Sequence, residues 1–198
     1  MSIEVIIADS GPLIALARIR HLHLLPAIFG RVVIPAAVLR ELTEGAAEGR
    51  VGAEDVRSAA WIDVRDADPE LSAAFSLIVD RGESEAIALA VRAPSSLLVM
   101  DDRRGRRLAL DRGLRVKGTV GVLVLAKQRG LVPAVGPLLV ALELAGIFVS
   151  PQLLASAPRG GRRARRLTSA PAPDARCTKS RCPSAVTRFP GEHRYGAQ

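Results

Sequence analysis

Short, uninterrupted apolar runs recur along this chain, and each gives way to a stretch with helical spacing. Val5 to Ala8, Arg31 to Ile34 and Ser96 to Met100 are the clearest runs, and turn residues or acids bound each of them. A strand that is apolar on both sides must be covered on both faces, which is the signature of a parallel sheet wrapped by helices. The alternation predicts an α/β fold with three layers.

The elements follow in order. After Val5–Ala8, Leu13, Ile14, Leu16 and Ala17 supply a helical face, and a second short helix lies within Leu22–Phe29. Pro35 closes the strand Arg31–Ile34 and opens a helix over Ala36–Glu44 that ends near Gly45. Residues 53–60 read as helix and Trp61–Val64 as a short strand. Phe75–Val79 and Glu83–Val91 read as two helices parted by Arg81-Gly82. The strand to Met100 precedes a helix over Arg103–Asp111, a strand over Leu114–Lys117 and a helix over Val120–Gln128. Ile147–Val149 reads as a last strand. Gly130–Val149 carries one charge, Glu143, but Pro133, Pro137 and Gly146 interrupt it, so it reads as a buried helix and a short strand rather than a membrane span.

The net charge of +8 is unevenly placed. Residues 1–158 hold 18 Lys+Arg against 18 Asp+Glu, and residues 159–198 hold 10 against 2, so the whole excess lies beyond residue 158. Charge balance therefore gives no ground for calling the folded part nucleic-acid binding. We expect a domain over residues 1–156 and a disordered basic tail over 157–198, rich in Arg, Pro, Ser, Ala and Gly. Both cysteines, Cys177 and Cys182, fall in that tail; with His193 they offer three zinc ligands at irregular spacing, where a structural site normally takes four. A core without cysteine, and a first apolar run interrupted by Glu4 and Asp9, lead us to expect a cytoplasmic protein without a signal peptide.

The chemistry-bearing residues are acids. Asp9 ends the first strand, and Asp101 and Asp102 end the run that begins at Ser96. Open α/β sheets place their sites at the carboxyl ends of strands. Glu41 borders the buried stripe of its helix beside Val38 and Leu42, and Glu83 shares a face with Ile87 and Ala90. Each acid alone has an ordinary explanation: Asp9 and Asp102 as helix N-caps, Glu83 and Glu85 as first-turn charges, Glu41 as a solvated helix residue. Together, converging from separate elements, they would repel unless a cation sat among them, and hard oxygen ligands suit Mg²⁺ or Mn²⁺. Arg103, Arg104, Arg106 and Arg107 follow the acid pair, where they can hold phosphates or neutralise neighbouring acids.

Several blocks now resemble one family. Val5-Ile6-Ile7-Ala8-Asp9-Ser10-Gly11-Pro12-Leu13 resembles the opening of PIN-domain proteins, and Val32-Val33-Ile34-Pro35-Ala36-Ala37-Val38-Leu39-Arg40-Glu41-Leu42 resembles their second block. Arg81-Gly82-Glu83-Ser84-Glu85-Ala86-Ile87 and Leu97-Leu98-Val99-Met100-Asp101-Asp102-Arg103 resemble the third and fourth, and Val116-Lys117-Gly118-Thr119 also fits. The likeness covers roughly residues 3–155 and is nearest the VapC-like toxin branch. It implies a PIN-like fold and a Mg²⁺- or Mn²⁺-dependent endoribonuclease, the toxin of a toxin–antitoxin pair, with an RNA substrate, a small antitoxin partner and a homodimer. It implies Asp9, Glu41, Glu83 and Asp102 as the catalytic, metal-holding acids, with Asp101 beside them and Glu85 competing with Glu83 for the third place. Ser10 matches a small hydroxyl residue that orients a ligand or water, and Arg103 is assigned to substrate. The rival reading is a PIN-like module that binds nucleic acid or a partner without cutting.

Overall fold

The computed structural model describes residues 5–49 and 52–149. The tail 157–198, with its expected disorder and its Cys177, Cys182 and His193, lies outside the described residues.

Five short strands form one parallel sheet: β1 (Ile6–Ala8), β2 (Val32–Pro35), β3 (Ile62–Arg65), β4 (Leu97–Val99) and β5 (Arg115–Lys117). Their order is β3-β2-β1-β4-β5, so β1 lies at the centre and pairs with β2 on one side and β4 on the other. β1, β2 and β4 are buried throughout, whereas the edge strands β3 and β5 are only partly covered. Side chains alternate between the two faces. Ile6, Ala8, Val32, Ile34, Leu97 and Val99 belong to one core, and Ile7, Val33 and Leu98 belong to the other.

The first core is covered by α1 (Ser10–Arg18), α2 (Leu24–Phe29), α3 (Ala36–Ala47), α8 (Thr119–Gln128) and α9 (Gly136–Leu144). The second is covered by α5 (Pro69–Phe75), α6 (Arg81–Arg92) and α7 (Arg103–Asp111). A short α4 (Ala53–Arg57) precedes β3. This is the three-layer α/β fold expected from the alternation.

Five sequence expectations need correction. The helix expected at Phe75–Val79 lies earlier, at Pro69–Phe75: the Asp68 carboxylate accepts from the Glu70 and Leu71 amides at 3.0 and 3.1 Å, and Pro69 fills the first turn. Phe75 is buried, but Leu77 is 88% exposed, so the apolar run 75–79 is a turn and not a helix face. Arg81-Gly82 is no break either, because α6 begins at Arg81. α3 runs past Gly45 to Ala47. Ile147–Val149 is not a strand. Its first amide is spent closing α9, donating to Leu142 O at 2.9 Å while Gly146 (φ +77°) donates to Glu143 O at 2.9 Å, the double bond of a Schellman ending. Pro137, expected to break the segment, sits in the first turn of α9. No helix among the described residues is long and apolar enough to cross a membrane.

Candidate active site

Parallel pairing brings the first acids together. The Asp9 amide donates to Val99 O at 3.0 Å, which locks the exit of β1 to that of β4 and sets Asp9 beside the chain that leads to Asp101 and Asp102. Asp9 is 6% exposed and occupies the N-cap position of α1, where its carboxylate feels the Ser10 and Gly11 amides without making a well-formed capping hydrogen bond. Burial, reinforced by the charges of Glu41 and Asp101, pushes its carboxyl up to about 6 against the pull of the Ser10 and Gly11 amides. Ser10 begins α1 and is half-buried.

The two glutamates arrive on helices that meet at the same edge. Glu41 projects from α3 over the first turn of α6, where a Cβ on Gly82 would stand 2.5 Å from its Oε1. Only a glycine at 82 leaves room for that carboxylate as it lies. Glu83, one residue on, is half-buried, and its carboxyl is pushed up to about 7, first by burial and then by Asp102, Asp9 and Asp80. α7 approaches closely on the other side, since a Cβ on Gly105 would stand 2.5 Å from Met100 Sδ and 3.3 Å from Glu83 Oε2. Glycines at the helix starts thus let four acid-bearing elements crowd one edge.

Asp101 and Asp102 divide their duties. Asp102 is the N-cap of α7, its Oδ1 accepting from the Arg104 and Gly105 amides at 2.7 and 2.9 Å. Asp101 caps a different helix: it accepts from the Thr119 amide at 2.8 Å and from the Thr119 hydroxyl, at the start of α8. Glu85 turns away from the crevice. Its Oε2 accepts from the Ala37 amide at 2.9 Å and its Oε1 from Arg81 Nε at 3.1 Å, so it ties α6 to the start of α3. Between the two candidates for the third acid, the one that faces Asp9 and Asp102 is Glu83.

What sets these acids apart is crowding: Asp9 is buried with Glu41 and Asp101 as charged neighbours, and Glu83 has Asp102 and Asp9. Asp63, Asp68, Glu54, Glu85 and Asp111 each pair with an arginine. Asp9, Glu41, Glu83, Asp101 and Asp102 are in no ion pair among the described residues. Among those residues no three acidic, His or Cys side chains stand as a ready coordination shell either. The acids line an open crevice, not a closed cage. Their chemistry nonetheless suits a divalent cation: hard oxygen donors, mutual repulsion, and one carboxylate buried beyond the reach of solvent counter-ions. Arg103 is exposed at the crevice rim, in the first turn of α7.

Asp80 was not singled out from the sequence. It is the N-cap residue of α6, it raises the Glu83 carboxyl by its charge, and its own amide partly offsets that effect. The signal was present, because Asp80-x-x-Glu83 has the spacing of a capping box.

Three substitutions separate support from chemistry. Gly82→Ala should raise helix propensity by up to about 1 kcal/mol while forcing the Glu41 carboxylate aside, so thermal stability holds and any activity of the site falls on the order of 10- to 100-fold. A melting curve beside an activity assay checks both halves. Asp101→Ala should cost about 2–3 kcal/mol, because Thr119 is buried and would lose both its partners. Asp102→Ala, which removes an exposed cap, should cost about 1 kcal/mol. Urea unfolding of the pair should give that order.

Acids gathered at the carboxyl edge of a helix-covered parallel sheet stand where open α/β folds place their ligand sites. A family model described as PIN domain matches residues 5–159, most of the chain, and the chain belongs to that family. Domains of this kind are generally metal-dependent nucleases. No curated protein matches the chain.

Proposed function

We propose that this PIN domain is a Mg²⁺- or Mn²⁺-dependent endoribonuclease, acting in the cytoplasm as the toxin of a toxin–antitoxin pair, as a homodimer held in check by a small antitoxin protein. The observation that carries the reading is the crowding of acids from β1, α3, α6 and the β4 exit at one edge of the sheet, with Asp9 buried among them. Asp9, Glu41, Glu83 and Asp102 would hold the metal, with Asp101 adjoining. The bound cation supplies a lowered water pKa and a positive charge that lets an acidic crevice accept a polyanion.

The remaining roles belong to the chain. Asp9 gives a fixed oxygen anchor, because its backbone is pinned to β4. Asp102 keeps α7 in place with its Oδ1, and its charge is felt at Glu83. The Glu83 carboxyl, half-open to solvent and pushed up to about 7 by burial and by Asp102, Asp9 and Asp80, would be relieved of that repulsion by a cation bound among them. The Ser10 hydroxyl would orient a ligand or water beside Asp9, and Arg103 would hold a substrate phosphate at the rim.

One observation favours a second reading. Asp101 spends both carboxylate oxygens on helix capping and Asp102 one, as a PIN fold kept only for binding would allow. Cleavage of a labelled structured RNA pool, run with Mg²⁺, with Mn²⁺ and with EDTA, decides between them. Cutting that needs metal supports the nuclease. No cutting in either metal by folded, antitoxin-free protein assigns the fold to binding.

A further inference from the structure

Phe148 is 87% exposed, although aromatic residues make up only 3% of the chain. It stands between two adjoining grooves of about 650 and 820 Å³, and both grooves also contain Asp101 and Arg106. Asp101 immediately precedes Asp102 at the exit of β4, so both grooves reach the edge of the sheet where the acids gather.

The walls are cationic. Arg103 and Arg104 line the larger groove, exposed and in no ion pair among the described residues; Lys117 lines the smaller one. Arg107 is matched by Asp111 at 3.1 Å, and Arg106 donates to Met100 O at 3.1 Å. Arg103 and Arg104 sit in the first turn of α7, where the helix dipole disfavours positive charge. Two unmatched arginines at the wrong end of a helix are electrostatically costly, and an external anion would offset that cost. The floor is apolar, with Leu110 54% and Ile78 49% exposed.

We propose that this surface is a subsite for single-stranded RNA: one base stacks on Phe148, and the phosphates on its flanks are held by Arg103 and Arg104, leading the strand past Asp101 into the crevice. A base stacked on an aromatic ring, with a cationic track beside it, is the usual physics of sequence-tolerant single-strand binding. The subsite deepens the ribonuclease reading and rests on it.

The test is binding of a fluorescein-labelled, 2′-O-methylated single-stranded RNA decamer to the full chain in Mg²⁺, followed by anisotropy across a salt series. Phe148→Ala should weaken binding about 5- to 100-fold with little change in salt slope. Arg103→Ala with Arg104→Ala should weaken it and reduce the slope by roughly 1.4, at about 0.7 per phosphate contact. Leu144→Ala, 85% exposed and outside both grooves, should bind as the wild type does. Equal binding by the Phe148 and arginine variants, or no binding by the wild type, overturns the subsite. So does a homodimer that Phe148→Ala converts to monomer with RNA affinity intact, which would assign the surface to a second copy of the chain. Cleavage of unmodified RNA by the same proteins separates the two ideas. Metal-dependent cutting indifferent to Phe148 overturns the subsite alone, whereas Phe148-dependent binding without any cutting overturns the nuclease alone.

Discussion

Asp9→Asn is expected to abolish metal-dependent RNA cleavage, by on the order of 10³-fold or about 4 kcal/mol of barrier, while making the metal-free protein more stable. The two effects share one cause. Asp9 is buried, has Glu41 and Asp101 as charged neighbours, and forms no ion pair among the described residues. At neutral pH its negative charge opposes folding and is there to be used. Asparagine keeps the shape, loses the charge and cannot replace a carboxylate as an anionic ligand. Cleavage and urea unfolding at pH 8 in EDTA should therefore move in opposite directions. A variant that lost stability along with activity would show that Asp9 is a structural residue.

The second large effect is a pH dependence of the metal-free wild type. Asp9 titrates near 6 in the folded chain against 3.8 as its ordinary value, and Glu83 near 7 against 4.5. Below pH 3.8 both states carry the Asp9 proton and no penalty exists. As pH rises toward 6 the unfolded chain ionises first, so stability falls, and above 6 the loss is complete. For Asp9 alone that amounts to about 3 kcal/mol. Glu83 extends the decline toward pH 7 with a smaller share, because half of it faces water. Denaturation midpoints in EDTA should accordingly drop between pH 4 and pH 7 in steps that Asp9→Asn flattens. Mg²⁺ or Mn²⁺ should restore stability most at the alkaline end, where no proton competes for the carboxylates. A flat profile in EDTA would mean that neither burial nor the neighbouring acids hold these carboxyls up.

Much of the fold can be read without coordinates. β1, β2 and β4 are buried on both faces, so their sequences are uninterrupted apolar runs, and Asp102 caps α7 as its place before an Arg-rich helix implies. The misread segments are those where apolar character and structure part company. Phe75–Val79 contains one deeply buried side chain and an exposed Leu77, and the capping signal that starts the true helix lies upstream at Asp68-Pro69. Ile147 is apolar because its side chain packs on the core while its amide closes α9, a use that periodicity does not register.

The candidate site divides along the same line. Sequence alone determined which residues are acids, which of them follow strands, and which helix faces carry Glu41 and Glu83, because alternation and helical spacing are local properties of the chain. Tertiary structure decided the rest. That Glu85 is spent on the Ala37 amide, that Asp101 caps α8 across 18 residues, and that Gly82 and Gly105 clear space for neighbouring side chains all depend on contacts between elements far apart in sequence. Whether a carboxylate is capped, paired or left alone is set by the partner that packing brings to it, and no local pattern encodes that partner.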